Sequence, residues 1–117
     1  MTKISHNLIM NSLEELKAVD TKILSLKDIS SFTDIMIITS GTSSRHMSAI
    51  SDKIQENLKE KSISILSVEG KGSSEWVLLD LGDIVVNIMS KSARELYDLE
   101  SLPVSYTHLT LPTRRGG

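Results

Sequence analysis

Two groups of residues have the types and spacing that chemistry could use. The first is Gly41-Thr42-Ser43-Ser44-Arg45-His46, which separates an apolar run from an amphipathic one. Backbone N–H groups at a helix start can hold a phosphate, and Arg45 would add charge. The spacing is neither a Walker loop nor the Rossmann glycine pattern. Ordinary helix capping by Ser43 or Ser44 is the simpler role. The second group is Asp80 with Asp83, a carboxylate pair of the kind that binds divalent metals.

Nucleotidyltransferases use a Gly-Ser motif followed by two acids one residue apart on a strand. Gly41-Thr42-Ser43 supplies the first part, but Asp80 and Asp83 are three apart across a turn. A nucleotide-binding, nucleotidyltransferase-like enzyme using Ser43, Arg45 and these two acids is therefore an alternative reading. It requires the carboxylates to converge near the Gly41 loop. His6, His46 and His108 are scattered, and no Ser/His/Asp arrangement is identifiable from one sequence. The chain has no Cys, which excludes a disulfide framework, a thiolate zinc site and a Cys nucleophile. No catalytic residue, metal site or cofactor is assigned.

Trp76 is the one Trp in the chain, and it lies among Glu69, Glu75, Asp80 and Asp83. On a strand it shares a face with Leu78 and Asp80, while Val77, Leu79 and Leu81 form a wholly apolar face suited to the core. Two readings remain open. An exposed Trp and Leu rimmed by acids resembles a docking hot spot. If a helix covers this second face, Trp76 is a core residue.

These residues need elements to position them. Leu8, Ile9, Leu13, Leu16 and Val19 recur at helical spacing and predict a helix over 5–19, capped by Ser5. Thr21–Leu26 reads as a strand and Lys27–Thr33 as a polar turn. Asp34–Ser40 is near-continuously apolar, as a strand buried on both faces would be. Met47, Ile50, Ile54 and Leu58 form the stripe of a helix ending near Lys61–Ser62, with Ser51, Asp52, Gln55, Glu56 and Lys59 facing water. Ser62–Glu69 alternates as a strand. Glu75–Leu81 and Asp83–Met89 predict an antiparallel hairpin about Gly82-Asp83. Ser90–Leu102 reads as a last helix, with a capping box from Ser92 to Glu95 and a buried line of Leu96, Leu99 and Leu102. The result is an α/β single domain: a mixed sheet of about five strands flanked by helices.

At 117 residues, 39% hydrophobic and 24% charged, the chain suits one small globular core. No apolar run approaches the roughly 20 residues of a membrane span, and the N-terminus has no signal-peptide core, so a cytoplasmic protein is expected. Residues 1–68 balance eight acids with eight Lys/Arg, whereas residues 69–102 carry seven acids and three bases. Such a bias disfavours direct nucleic-acid contact and favours a basic partner. It also fits a solvated acidic face.

DIMIITSG (34–41), TSSRHM (42–47), Val68-Glu69-Gly70, EWVLLDLGD (75–83), IVVNIM (84–89) and RELYDLESL (94–102) occur in the order and spacing of the ribosomal silencing factor, or Iojap, family. The resemblance covers about residues 5–102. It implies a small α/β domain, nucleotidyltransferase-like in fold but without that catalysis. It further implies binding to the large ribosomal subunit through its protein number fourteen, steric blocking of small-subunit association, and repression of translation under nutrient limitation. Organellar relatives imply large-subunit assembly as an alternative role, and a homodimer is a further implied state. Matched onto this chain, the partner-binding residues are Trp76, Leu78, Asp80, Leu81, Gly82 and Asp83, with Arg94, Tyr97 and Glu100 on the closing helix. The family usually continues Leu-Glu-x-Leu with a Trp, whereas here Leu102 is followed by Pro103. The domain is therefore expected over 1–102. Residues 103–117, PVSYTHLTLPTRRGG, resemble a translated cloning or sequencing adapter outside the fold.

Overall fold

Ile35–Ser40 forms strand β2, and its last four residues are buried, as its near-continuous apolar run predicts. The computed structural model describes residues 2–26, 32–71 and 75–97. Around β2 the elements run α1 (Thr2–Glu15), β1 (Val19–Ser25), β2, α2 (Ser44–Glu60), β3 (Ser67–Glu69), β4 (Trp76–Asp80), β5 (Ile84–Met89) and α3 (Lys91–Tyr97). The sheet order is β1-β2-β5-β4-β3. β2 and β5 are parallel, with Ile35 beside Ile84 and Ser40 beside Met89. The other three pairs are antiparallel. The five-stranded mixed sheet of one small α/β domain is thus as expected, and β4–β5 is the expected hairpin.

One sheet face carries Ile37, Val77, Leu79, Ile84, Val86 and Ile88. It packs against Ile9 and Leu13 of α1 and Met47, Ile50, Ile54 and Leu58 of α2. At roughly 25 cal/mol per Å² of apolar surface, this cluster is the main source of stability. The second face carries Leu24, Leu26, Ile38 and Met89, closed at one end by Ala93 of α3, with Met36 and Trp76 beside them.

Several boundaries differ from the sequence expectation. α1 ends at Glu15, so Val19 belongs to β1 and is 41% exposed. The cause is a Schellman turn: Ala18 N–H donates to Leu13 O and Lys17 N–H to Glu14 O, with Lys17 at φ 57°. α2 ends the same way, through Ile63 N–H to Leu58 O and Ser62 N–H to Lys59 O, with Ser62 at φ 58°. Only 67–69 of the expected strand 62–69 pairs, because β4 ends at Asp80, the partner of Ser67. Ile63 and Ile65 alternate correctly but pack on the core from an irregular segment.

Ser51 is buried rather than facing water. It lies between Met47 and Ile54 at helical spacing, and its hydroxyl accepts from Gln55 Nε2. α3 is capped by Ser90, whose Oγ accepts from Ala93 N–H at 3.0 Å, so Ser92 is already inside the helix. That earlier start turns Ala93 and Arg94 inward and leaves Leu96 73% exposed. Leu99 and Leu102 lie outside the described residues, as do the turn residues 27–31 and the tail.

Candidate docking surface

β4 positions the central residues. Its alternation buries Val77 and Leu79 and leaves Trp76, Leu78 and Asp80 partly exposed on the second sheet face. Trp76 is partly buried and packs against the second core cluster. α3 covers its end of the sheet, so the indole packs beside the Leu24, Met89 and Ala93 cluster. Tyr97 lies against it, with ring centroids 4.9 Å apart and planes at 50°. The residue as a whole is only partly buried. Across the sheet, Trp76 pairs with Met89, Leu78 with Asn87 and Asp80 with Val85. Trp76 Nε1 donates to Asn87 Oδ1 at 2.9 Å.

The turn after β4 is tied from three directions. Asp80 Oδ1 accepts from Gly82 N–H at 2.8 Å, and Leu81 N–H donates to Ile84 O. Asp83 O accepts from Asp34 N–H and Ile35 N–H, and Thr33 Oγ1 donates to Gly82 O at 3.0 Å. Gly82 has φ +96°, which an L side chain adopts only under strain. Leu81 is partly buried and packs against the core, consistent with its place on the Val77–Leu79 face.

Two apolar side chains that sequence reasoning did not single out flank this turn. Leu66 donates its N–H to Asp80 O, and its Cδ1 is 3.4 Å from where a Cβ on residue 82 would stand. Phe32 immediately precedes Thr33, which bonds Gly82. They are 69% and 86% exposed. Leu66 was hidden inside an apparent strand, whereas Phe32, the one Phe of the chain and set in a polar loop, was a usable signal.

Arg94 stands apart from this face. It is 8% exposed, and its Nη1 donates to Asp20 O and to Ser40 Oγ, joining α3 to the β1–β2 end of the sheet. Tyr97 joins Trp76 directly, whereas Glu100 lies outside the described residues.

The Gly41 loop behaves as a cap. Ser43 is the N-cap of α2, accepting from His46 N–H at 3.0 Å. Thr42 N–H donates to His46 Nδ1, so Nε2 carries the proton and donates to Leu16 O, fastening α1 to this loop. A cavity of about 530 Å³ opens here, lined in part by Ser40, Ser43, Ser90, Lys91 and Arg94. Its serine hydroxyls at 40, 43 and 90 each accept one bond, from Arg94 Nη1, His46 N–H and Ala93 N–H.

Asp80 and Asp83 do not meet this loop. Asp83 bonds the residues that start β2, and Gly41 follows the residue that ends it. The six residues between span about 20 Å of strand. The carboxylate convergence required by the nucleotidyltransferase-like reading is therefore not formed. Among the described residues no group of three or more His, Cys, Asp or Glu side chains is placed to hold a metal.

The profile of the family described as "Ribosomal silencing factor during starvation" matches residues 2–111. A Haemophilus influenzae protein named ribosomal silencing factor is 40% identical over 94 residues, 80% of this chain and 92% of that one. The mouse protein "Mitochondrial assembly of ribosomal large subunit protein 1" is 31% identical over 86% of this chain, which spans 45% of that protein. An X-ray structure of a Chromobacterium violaceum protein superimposes with a TM-score of 0.83 at 32% identity, covering 94% of this chain and 91% of that one. The chain belongs to the ribosomal silencing factor family.

Proposed function

We propose that this protein binds the large ribosomal subunit and sterically prevents its association with the small subunit, lowering translation when nutrients are scarce. The observation that carries the reading is the Asp80–Asp83 turn. It is a rigid acidic knuckle with partly exposed Trp76 and Leu78 on one side and exposed Leu66 and Phe32 flanking it. Apolar anchors with an acidic rim suit a basic protein surface with an apolar centre. Protein number fourteen of the large subunit is the intended partner. The names of the family and of the mouse relative support a ribosomal partner.

The mechanism is occupancy, with no bond made or broken. Trp76, Leu78, Asp80, Leu81, Gly82 and Asp83 form the contact, Tyr97 and Glu100 support it, and Arg94 acts from beneath by holding α3. Nucleic acid contributes little, given the acidic bias of residues 69–102. The protein works in the cytoplasm; among the described residues no helix is long and apolar enough to cross a membrane. A homodimer remains part of the proposal. The folding unit ends near Leu102.

Assistance in large-subunit assembly is the second reading, favoured by the mouse relative's name. Sedimentation with purified large subunits tests docking. Binding should weaken as salt rises from about 50 to 200 mM, since the rim is charged. Salt-insensitive binding would remove the acidic rim from the contact. Failure to co-sediment at low salt would remove docking altogether.

A further inference from the structure

Asn87 is out of place in its strand. β5 reads Ile-Val-Val-Asn-Ile-Met and lies at the centre of the sheet. Asn87 is 1% exposed, with fully buried Ile38 beside it on β2 and Leu78 opposite on β4. An apolar residue would serve the packing at least as well, because a buried amide is unfavourable unless its hydrogen bonds are made. Its carboxamide makes one short bond, accepting from Trp76 Nε1 at 2.9 Å; its Nδ2 reaches Ile37 O only at 3.5 Å. An indole N–H only donates, so Oδ1 must face it.

The register shows what this bond does. Trp76 lies opposite Met89, and Asn87 is its diagonal neighbour, in the row of Leu78. To reach Oδ1 the indole must lean along β4 towards Leu78 instead of past the end of the sheet. Tyr97 holds the ring as well. We infer that Asn87 is a positioning residue for partner recognition: it fixes the rotamer in which Trp76 and Leu78 form one continuous contact surface. This rests on the proposed docking through Trp76.

The test uses the full chain and purified large ribosomal subunits. Asn87→Leu and Asn87→Val remove the acceptor, Trp76→Phe removes the donor, and double variants combine them. Thermal unfolding identifies the folded variants. With one Trp in the chain, a single indole N–H resonance reports the bond. In folded Asn87→Leu or Asn87→Val this resonance should shift and exchange faster, and subunit binding should weaken roughly three- to tenfold, the scale of one hydrogen bond. In the Trp76→Phe background the same substitutions should cost no further affinity. Wild-type affinity in a folded Asn87 variant whose indole resonance has moved would overturn the inference. So would an equal loss of affinity with and without the indole N–H. Undiminished binding by Trp76→Ala would overturn the docking reading itself, together with this inference. Loss on Trp76→Ala but not on Asn87→Leu would overturn the positioning role alone.

Discussion

Tyr97 of α3 rests against Trp76 of β4 with ring centroids 4.9 Å apart and planes tilted by 50°. The contact joins the closing helix to the proposed docking face, and Tyr97 stays 49% exposed while making it. An aromatic pair of this geometry contributes about 0.5–1.5 kcal/mol beyond its buried area. Tyr97→Ala should lower stability by at least about that amount and shift Trp76 emission to the red. Tyr97→Phe should preserve both. Equal loss in the two variants, read by thermal unfolding and fluorescence, would assign the effect to the hydroxyl instead of the ring.

The two positive-φ glycines of this region should differ in severity. At Gly82 an added Cβ meets only Leu66 Cδ1 at 3.4 Å, so Gly82→Ala should cost the backbone strain alone, roughly 1–2 kcal/mol. At Gly70, φ +76°, the same atom would lie 2.3 Å from the Trp76 carbonyl oxygen, and backbone must move. Gly70→Ala should therefore be the more destabilising in denaturant titrations. The reverse order would contradict this description of the strand ends.

Both long helices terminate on a left-handed residue that is not glycine, Lys17 and Ser62. Replacing either with Gly relieves strain of about 1–2 kcal/mol and gives back part of it as unfolded-chain entropy. Lys17→Gly and Ser62→Gly should each stabilise the protein by about 0.5 kcal/mol or more, raising the melting midpoint by a few degrees. Their effects should add, since they act at separate helix ends.

These helix ends mark where legibility in the sequence stopped. The order of elements followed from apolar spacing, because the faces that periodicity picked out on α2 and β4 cover each other: Met47, Ile50, Ile54 and Leu58 over Val77 and Leu79. Stops were hidden because Lys17 and Ser62 carry no glycine signal. The cap of α3 was not legible because Ser90 and Ser92 offer the same hydroxyl two residues apart, and only the turn geometry after Met89 selects the first. Strand length failed at 62–66 because pairing depends on where the partner ends. For the candidate site, the Trp76–Leu78–Asp80 face was readable from alternation. The Asn87 acceptor and the flanking position of Leu66 depend on cross-strand register, and the inward turn of Arg94 on where α3 starts.

Arg94 separates support from contact. Its removal leaves buried Ser40 Oγ, and the carbonyl of Asp20, without their guanidinium donor. Arg94→Ala should cost about 1–3 kcal/mol in stability, and Arg94→Lys should recover little of it. Folded Arg94→Ala protein should still bind large subunits with near wild-type affinity. A large affinity loss in fully folded protein would move Arg94 into the contact itself.

The domain is expected to end near Leu102, whereas the family profile runs on to residue 111. A chain cut after Leu102 should unfold at the same denaturant concentration as the 117-residue chain and bind subunits equally well. A clear loss of stability would place part of 103–117 in the fold.

Docking through the Trp76–Asp83 face is tested most directly by subunit sedimentation with the Trp76→Ala/Asp83→Lys double variant, checked for folding beforehand. Purified wild-type protein should travel with large subunits and reduce the joined-ribosome peak when small subunits are added. The folded double variant should remain at the top of the gradient and leave joining unimpaired. Co-sedimentation of the folded double variant at wild-type levels, or unimpaired joining with wild-type protein bound, would contradict it.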